Sequence, residues 1–97
     1  MNRTEILFTA EEYITRDRAA THGDAEDSFA AIAAVWSWWL SERVSEPLTA
    51  YDVAVMMGLF KVARMQGNKA HMDSPIDCVG YIAIAGEIAA KNGAGIA

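Results

Sequence analysis

A chain of 97 residues that is 53% apolar and carries a formal charge of −5 makes one domain, with slightly more apolar residues than so small a core usually needs. Eight Lys and Arg stand against 13 Asp and Glu with no basic cluster, which argues against direct DNA binding and against an anionic membrane surface, since both need cations to meet phosphate. The lone cysteine, Cys78, excludes an intramolecular disulfide and a multi-Cys zinc site, fits a reducing cytoplasm, and reads as a small core residue.

The N-terminal residues MNRTEILF show no basic start followed by an apolar run, so no signal peptide is expected. They form an extra turn or an arm over residues 1–8. Thr9 followed by Glu12 has capping-box spacing, which starts a first helix near Ala10 and carries it to about Ala20. Thr21, His22, Gly23 and Asp24 form a break. Asp24 caps a second helix over 25–44, with Glu26 and Asp27 well placed against its dipole. Phe29, Ile32, Ala33, Trp36, Trp39, Leu40 and Val44 are its main stripe. Trp36 and Trp39 therefore read as core, whereas Trp38 falls opposite and reads either as packing under the next loop or as an interface anchor.

Thr49 and Asp52 make the next capping pair. The third helix, from Ala50, carries Val53, Met56, Met57 and Phe60 on one face and Val55, Leu59 and Val62 on the other, and ends near Gly67. Ser74 as N-cap, Pro75 at the first helical position and Asp77 at the third start a fourth helix that runs to about Lys91. Asn92 and Gly93 end it, and 93–97 is a frayed tail. Short connections make neighbouring helices antiparallel. The expected fold is a single all-α domain over 1–97, like a four-helix bundle. The last two helices are apolar nearly all round, so they need enclosure on every side. Oligomerisation, as a dimer or higher, is expected to supply it.

Rare charges on those two helices are the candidates for chemistry. Lys61 and Arg64 are three residues apart and project to one side. Arg64 falls near the Val53–Met57–Phe60 stripe, where an unpaired charge is costly, so it needs a partner or a cavity. Asp77 aligns with Tyr81, Ile84 and Ile88, and an antiparallel fourth helix brings it toward Lys61 and Arg64. The pair is either a structural ion lock or a phosphate-binding cation pair oriented by a carboxylate. His22 beside Asp24 reads as a solvated loop pair or as a base or ligand. Mg²⁺ chemistry on nucleotides needs converging carboxylates. Asp73 and Asp77 are the candidate metal ligands, and Glu42 and Glu46 stand one helical turn apart. No glycine-rich phosphate loop, zinc helix or nucleophile elbow is present.

The run Arg18, His22-Gly23-Asp24, Phe29, Ile32, Trp36, then Asp52-Val53-Ala54, Met56-Met57, Lys61, Ala63-Arg64, then Asp73-Ser74, Asp77 and Gly80-Tyr81 resembles a small phage and prophage family. It is similar to the nucleotide-modification-associated domain type 1, over about residues 13–89. Many members carry Tyr where this chain has His22. The resemblance extends more distantly to the all-α, MazG-like nucleotide pyrophosphohydrolases. That group's metal site begins with Glu-Glu-x-x-Glu, but here Glu11-Glu12 is followed by Thr15.

The resemblance implies a phage-type protein of nucleotide metabolism or modification that binds a nucleotide. Lys61 and Arg64 would hold phosphate, Asp77 would orient them, and His22 and Asp24 would line the rim. Mg²⁺ is the one cofactor it suggests, at Asp73 or Asp77. The alternative is a non-catalytic phage protein that binds and inhibits a host enzyme or defence system through Trp38 and its acidic surface. Either would act in the cytoplasm of the host cell.

Overall fold

The computed structural model describes residues 1–17 and 24–96. Among these residues the fold is all-α, with no strand. Helix α1 spans Arg3–Glu12 and passes into a π-helical turn at Tyr13–Asp17. Helix α2 spans Ala25–Trp39, α3 spans Ala50–Gly67 and α4 spans Asp73–Lys91. Helices α3 and α4 form the most extensive pairing. Helix α2 lies mainly on α3, and α1 lies on α4.

The caps explain the boundaries. Helix α1 starts earlier than the Thr9–Glu12 spacing suggests because Asn2 and Glu5 form their own capping box. Glu5 N–H donates to Asn2 Oδ1 at 2.9 Å, and Asn2 N–H donates to Glu5 Oε1 at 3.2 Å. Thr9 is then inside the helix, and its hydroxyl donates back to the Glu5 carbonyl at 2.7 Å. Residues 3–8 are thus helical rather than an arm. Asp24 takes the extended N-cap position of α2, but its carboxylate makes no capping hydrogen bond. Thr49 and Asp52 do form the expected box. Met72, not Ser74, precedes α4, so Asp73 sits in the first turn and Ser74 is already helical. Gly93, with φ of +101°, stops the chain just past α4; that left-handed value suits a residue without Cβ.

The core gathers Phe29 and Ala33 of α2, Val53 and Ala54 of α3, and Ile84, Ala85 and Ile88 of α4. The Phe29 and Tyr81 rings meet at 6.0 Å. Burial of each large side chain contributes roughly 1.5–3 kcal/mol. Two glycines allow close approach. A Cβ at Gly58 would stand 2.7 Å from Ile82 Cδ1, and one at Gly80 would stand 2.8 Å from Ile14 Cγ2.

Several expected faces are turned differently. Helix α2 ends at Trp39 instead of Val44, so Glu42 and Glu46 are not successive turns of a helix. Trp39 is 76% exposed and leaves the core. The inner face of α3 is Val53, Ala54 and Gly58, flanked by Met57 and Lys61, while Met56 and Phe60 face outward with Leu59 and Val62. Cys78 is half-buried, with a free thiol. The outer faces of α3 and α4 are not enclosed within one chain.

Candidate functional site

Gly58 seats α3 tightly on α4, and one turn later the same inner face presents Lys61. Its ammonium lies 3.0 Å from Asp77 Oδ2, and both side chains are largely shielded, at 18% and 28% exposure. The expected pairing of α3 with α4 through Asp77 is thus made, and Lys61 is the partner. Arg64 belongs to the exposed side of α3 instead. Its guanidinium lies over the Phe60 ring, 5.3 Å from the centroid, while Lys61 Nζ stands 5.7 Å from the same ring. Among the described residues no carboxylate lies within salt-bridge distance of Arg64.

Beyond Arg64 the chain turns into α4 around a cleft of about 410 Å³ lined by Arg64, Gly67, Asn68, His71 and Ser74. Local hydrogen bonds hold its rim. Asn68 N–H donates to the Arg64 carbonyl at 3.0 Å, Asn68 Oδ1 accepts from Ala70 N–H at 3.2 Å, and the Asn68 carbonyl accepts from His71 N–H at 3.4 Å. Ser74 forms the floor at 1% exposure. Its hydroxyl has no hydrogen-bond partner among the described residues, which is unusual for a buried polar group. Ser74 lies in the first turn of α4, where the helix dipole favours an anion, although its own N–H donates to the His71 carbonyl at 3.4 Å and Pro75 has none. His71 Nε2 stands 3.8 Å from Asp73 Oδ2, a charged pair only when the imidazole is protonated.

Charge along the chain agrees with this polarity. Between Asp52 and Asp73 the sequence has Lys61, Arg64 and Lys69 and no acidic residue. An acidic molecule thus carries one cationic stretch, and the cleft lies within it. Sequence reasoning missed Asn68, His71 and Ser74 as a group. The signal available was the acid-free interval ending at a helix start.

The remaining predicted residues lie elsewhere. Asp24 is at the far end of α4, beside the Lys91 cluster, so it is not brought to Lys61, Arg64 and Asp77. There Lys91 bridges Glu26 at 3.3 Å and Glu87 at 3.6 Å. The hydrogen bond to Glu26, then that carboxylate's charge, with smaller help from Glu87 and Asp24, pushes the Lys91 pKa above its ordinary value near 10.5. His22 lies outside the described residues. No three His, Cys, Asp or Glu side chains converge as metal ligands among the described residues. Asp73 and Asp77 instead face His71 and Lys61 respectively. Trp38, 74% exposed, stands beside Trp39 with ring centroids 6.4 Å apart.

This small all-α unit matches a family model over residues 5–89. The chain belongs to that family, described as a domain of unknown function, DUF6378. It is 40% identical over 79 residues to the Gene 55 protein of Mycobacterium phage L5, covering 81% of this chain and 49% of that protein. It is 36% identical over 76 residues to the Gene 55 protein of Mycobacterium phage D29, covering 78% of this chain and 48% of that one. The chain spans about half the length of these curated relatives. No solved structure matches. The relatives are phage proteins, as the quoted residue pattern implies; the finer likeness to nucleotide-modification domains and MazG-like enzymes rests on that pattern alone. No helix among the described residues is long and apolar enough to cross a membrane.

Proposed function

We propose that the open end of the α3–α4 hairpin binds the phosphate of a nucleotide, as part of phage nucleotide metabolism or modification in the host cytoplasm. One observation carries the reading: among the described residues Arg64 has no carboxylate partner, and it shares a cleft with the buried hydroxyl of Ser74, which has no partner there either. A phosphate there would accept from the Arg64 guanidinium and the Ser74 hydroxyl together. Lys61 is not a direct ligand in this reading. Its pairing with Asp77 fixes the helix spacing. Should Mg²⁺ accompany the nucleotide, Asp73, 3.8 Å from the lining residue His71, is the carboxylate proposed to meet it. Binding alone is proposed, without hydrolysis.

The test is thermal melting with a nucleoside triphosphate, with and without Mg²⁺, beside inorganic phosphate. Ligand at about ten times its Kd stabilises by about 1.4 kcal/mol and raises Tm by roughly 5–10 °C in a domain of this size. Arg64→Ala and Ser74→Ala should each reduce that shift strongly. A wild type that melts identically with every nucleotide rejects the reading.

The exposed Trp38–Trp39 pair favours a second reading, an inhibitory contact with a host protein. Indole side chains dominate binding hot spots when a partner covers them. The corresponding test is binding to a purified host partner. Trp38→Ala should weaken it at least tenfold, and unchanged affinity removes Trp38 from the contact.

A further inference from the structure

We propose that the outward face of α3 is the contact between two copies of this chain, packed antiparallel about a two-fold axis at Leu59. The surface of the single chain motivates a second copy. A compact monomer of 10.5 kDa exposes roughly 5,400 Å², whereas this chain exposes 6950 Å². Its radius of gyration of 14.3 Å likewise exceeds the ~12.5 Å expected for this length. Exposed apolar side chains contribute to the excess, and a group of them lies together on α3. Tyr51, Met56, Leu59 and Val62 are 44%, 36%, 60% and 48% exposed, and Ile82, which packs against Gly58 from α4, is 47% exposed. At these exposures the five side chains, with the smaller residues among them, offer roughly 600 Å², against ~800 Å² per partner in a standard interface. Two copies together would bury about 1,200 Å², the lower edge of stable interfaces.

The pattern on the face is self-complementary. Asp52, Val55, Met56, Leu59, Val62, Ala63 and Gln66 recur at three- and four-residue spacing, the seam of a coiled-coil contact. An antiparallel crossing at Leu59 sets Met56 against Val62, Val55 against Ala63 and Asp52 against Gln66, each twice by symmetry. Large residues therefore meet small ones. Asp52 caps Thr49 through Oδ2, which leaves Oδ1 to accept from the Gln66 amide of the other copy. The centre of the face carries no ionised group. Two molecules of charge −5 thus meet where their charges are absent.

The experiment is the mass in solution of the whole chain, by sedimentation equilibrium between about 1 and 100 µM, where a micromolar Kd is read. A mass near twice 10.5 kDa is expected, with Leu59→Glu monomeric and still helical by circular dichroism. Trp38→Ala, on another surface, should remain dimeric. Leu59→Cys with Cys78→Ser provides a second measure. Symmetric cysteines at the axis come within disulfide reach, so oxidised glutathione should convert most of the chain to a covalent dimer, while Val35→Cys in the same background should not. A wild type that stays monomeric at the highest concentration gives this face to a different polypeptide and overturns the proposal. So does a dimer that survives Leu59→Glu and fails to cross-link at residue 59.

Discussion

Lys61 and Asp77 show how little of an ionic residue's role follows from its charge alone. Their side chains are neither in bulk water nor fully enclosed, so the pair lies between surface bridges near ~0–1 kcal/mol and buried ones whose disruption costs ~3–5 kcal/mol. Lys61→Ala or Asp77→Ala should each destabilise by about 1–2 kcal/mol in urea unfolding. The double variant should cost clearly less than both losses combined, because the second substitution removes the group left unpaired by the first. Additive losses would show that the two groups act independently. The pair was legible in the sequence because Asp77 shares a stripe with Ile84 and Ile88, and a short connection makes α4 antiparallel to α3. Arg64 was not legible. Its placement took Phe60, together with Val53 and Met57, to mark the inner face of α3, whereas Phe60 is 48% exposed. The inner face runs instead through Ala54 and Gly58, residues with too little side chain to announce themselves in an apolar pattern.

Among the elements, the contact between the π-helical turn and α4 is the most sharply constrained. Gly80 is buried, and an added Cβ would stand 2.8 Å from Ile14 Cγ2. That methyl is on a β-branched carbon with few rotamers, so it cannot swing aside cheaply. Gly80→Ala should destabilise by about 1–3 kcal/mol, although alanine is the better helix former by ~1 kcal/mol. Gly58→Ala offers the contrast. Its nearest neighbour is the far end of Ile82, a half-exposed side chain with room to turn outward, so the melting temperature should change far less. A Gly80→Ala variant as stable as wild type would show that the turn yields. These crossings were hidden in the sequence, where glycine reads as a turn residue or a weak helix position. Boundaries were uncertain for another reason. Asn2–Glu5 and Thr9–Glu12 both satisfy the capping-box spacing, and Met72–Ser74 offers more than one start. A cap pattern licenses a helix start without choosing between competing ones. The strong Thr49–Asp52 box met no rival nearby, and α3 starts there as expected.

At the scale of the whole molecule, the apolar excess in the composition and the surface of the folded chain describe one imbalance. Among the described residues the buried apolar set is short: Phe29, Val53, Ile76, Ile84 and Ile88, with four alanines. Trp38, Trp39, Leu59, Phe60 and Val62 remain largely in water. The inference that α3 and α4 need enclosure was legible in their unbroken apolar circumference, but which face remains for a partner depends on the glycine crossing that turns α3. A chain this small is marginal when it relies on its own core alone. If the α3 face is covered by a second copy, part of the stability belongs to association, and melting must depend on concentration. Each tenfold increase in protein should add about 0.7 kcal/mol per chain and raise Tm by roughly 3–5 °C. Leu59→Glu should melt lower than wild type at high concentration and show no such slope, because its unfolding is unimolecular. Converging Tm values for the two proteins at the lowest concentration would locate the difference in assembly, since Leu59 contributes little to its own subunit's core. A wild type with a flat Tm over two decades of concentration would mean that this short core suffices, and that the apolar face of α3 is held in water without a second copy.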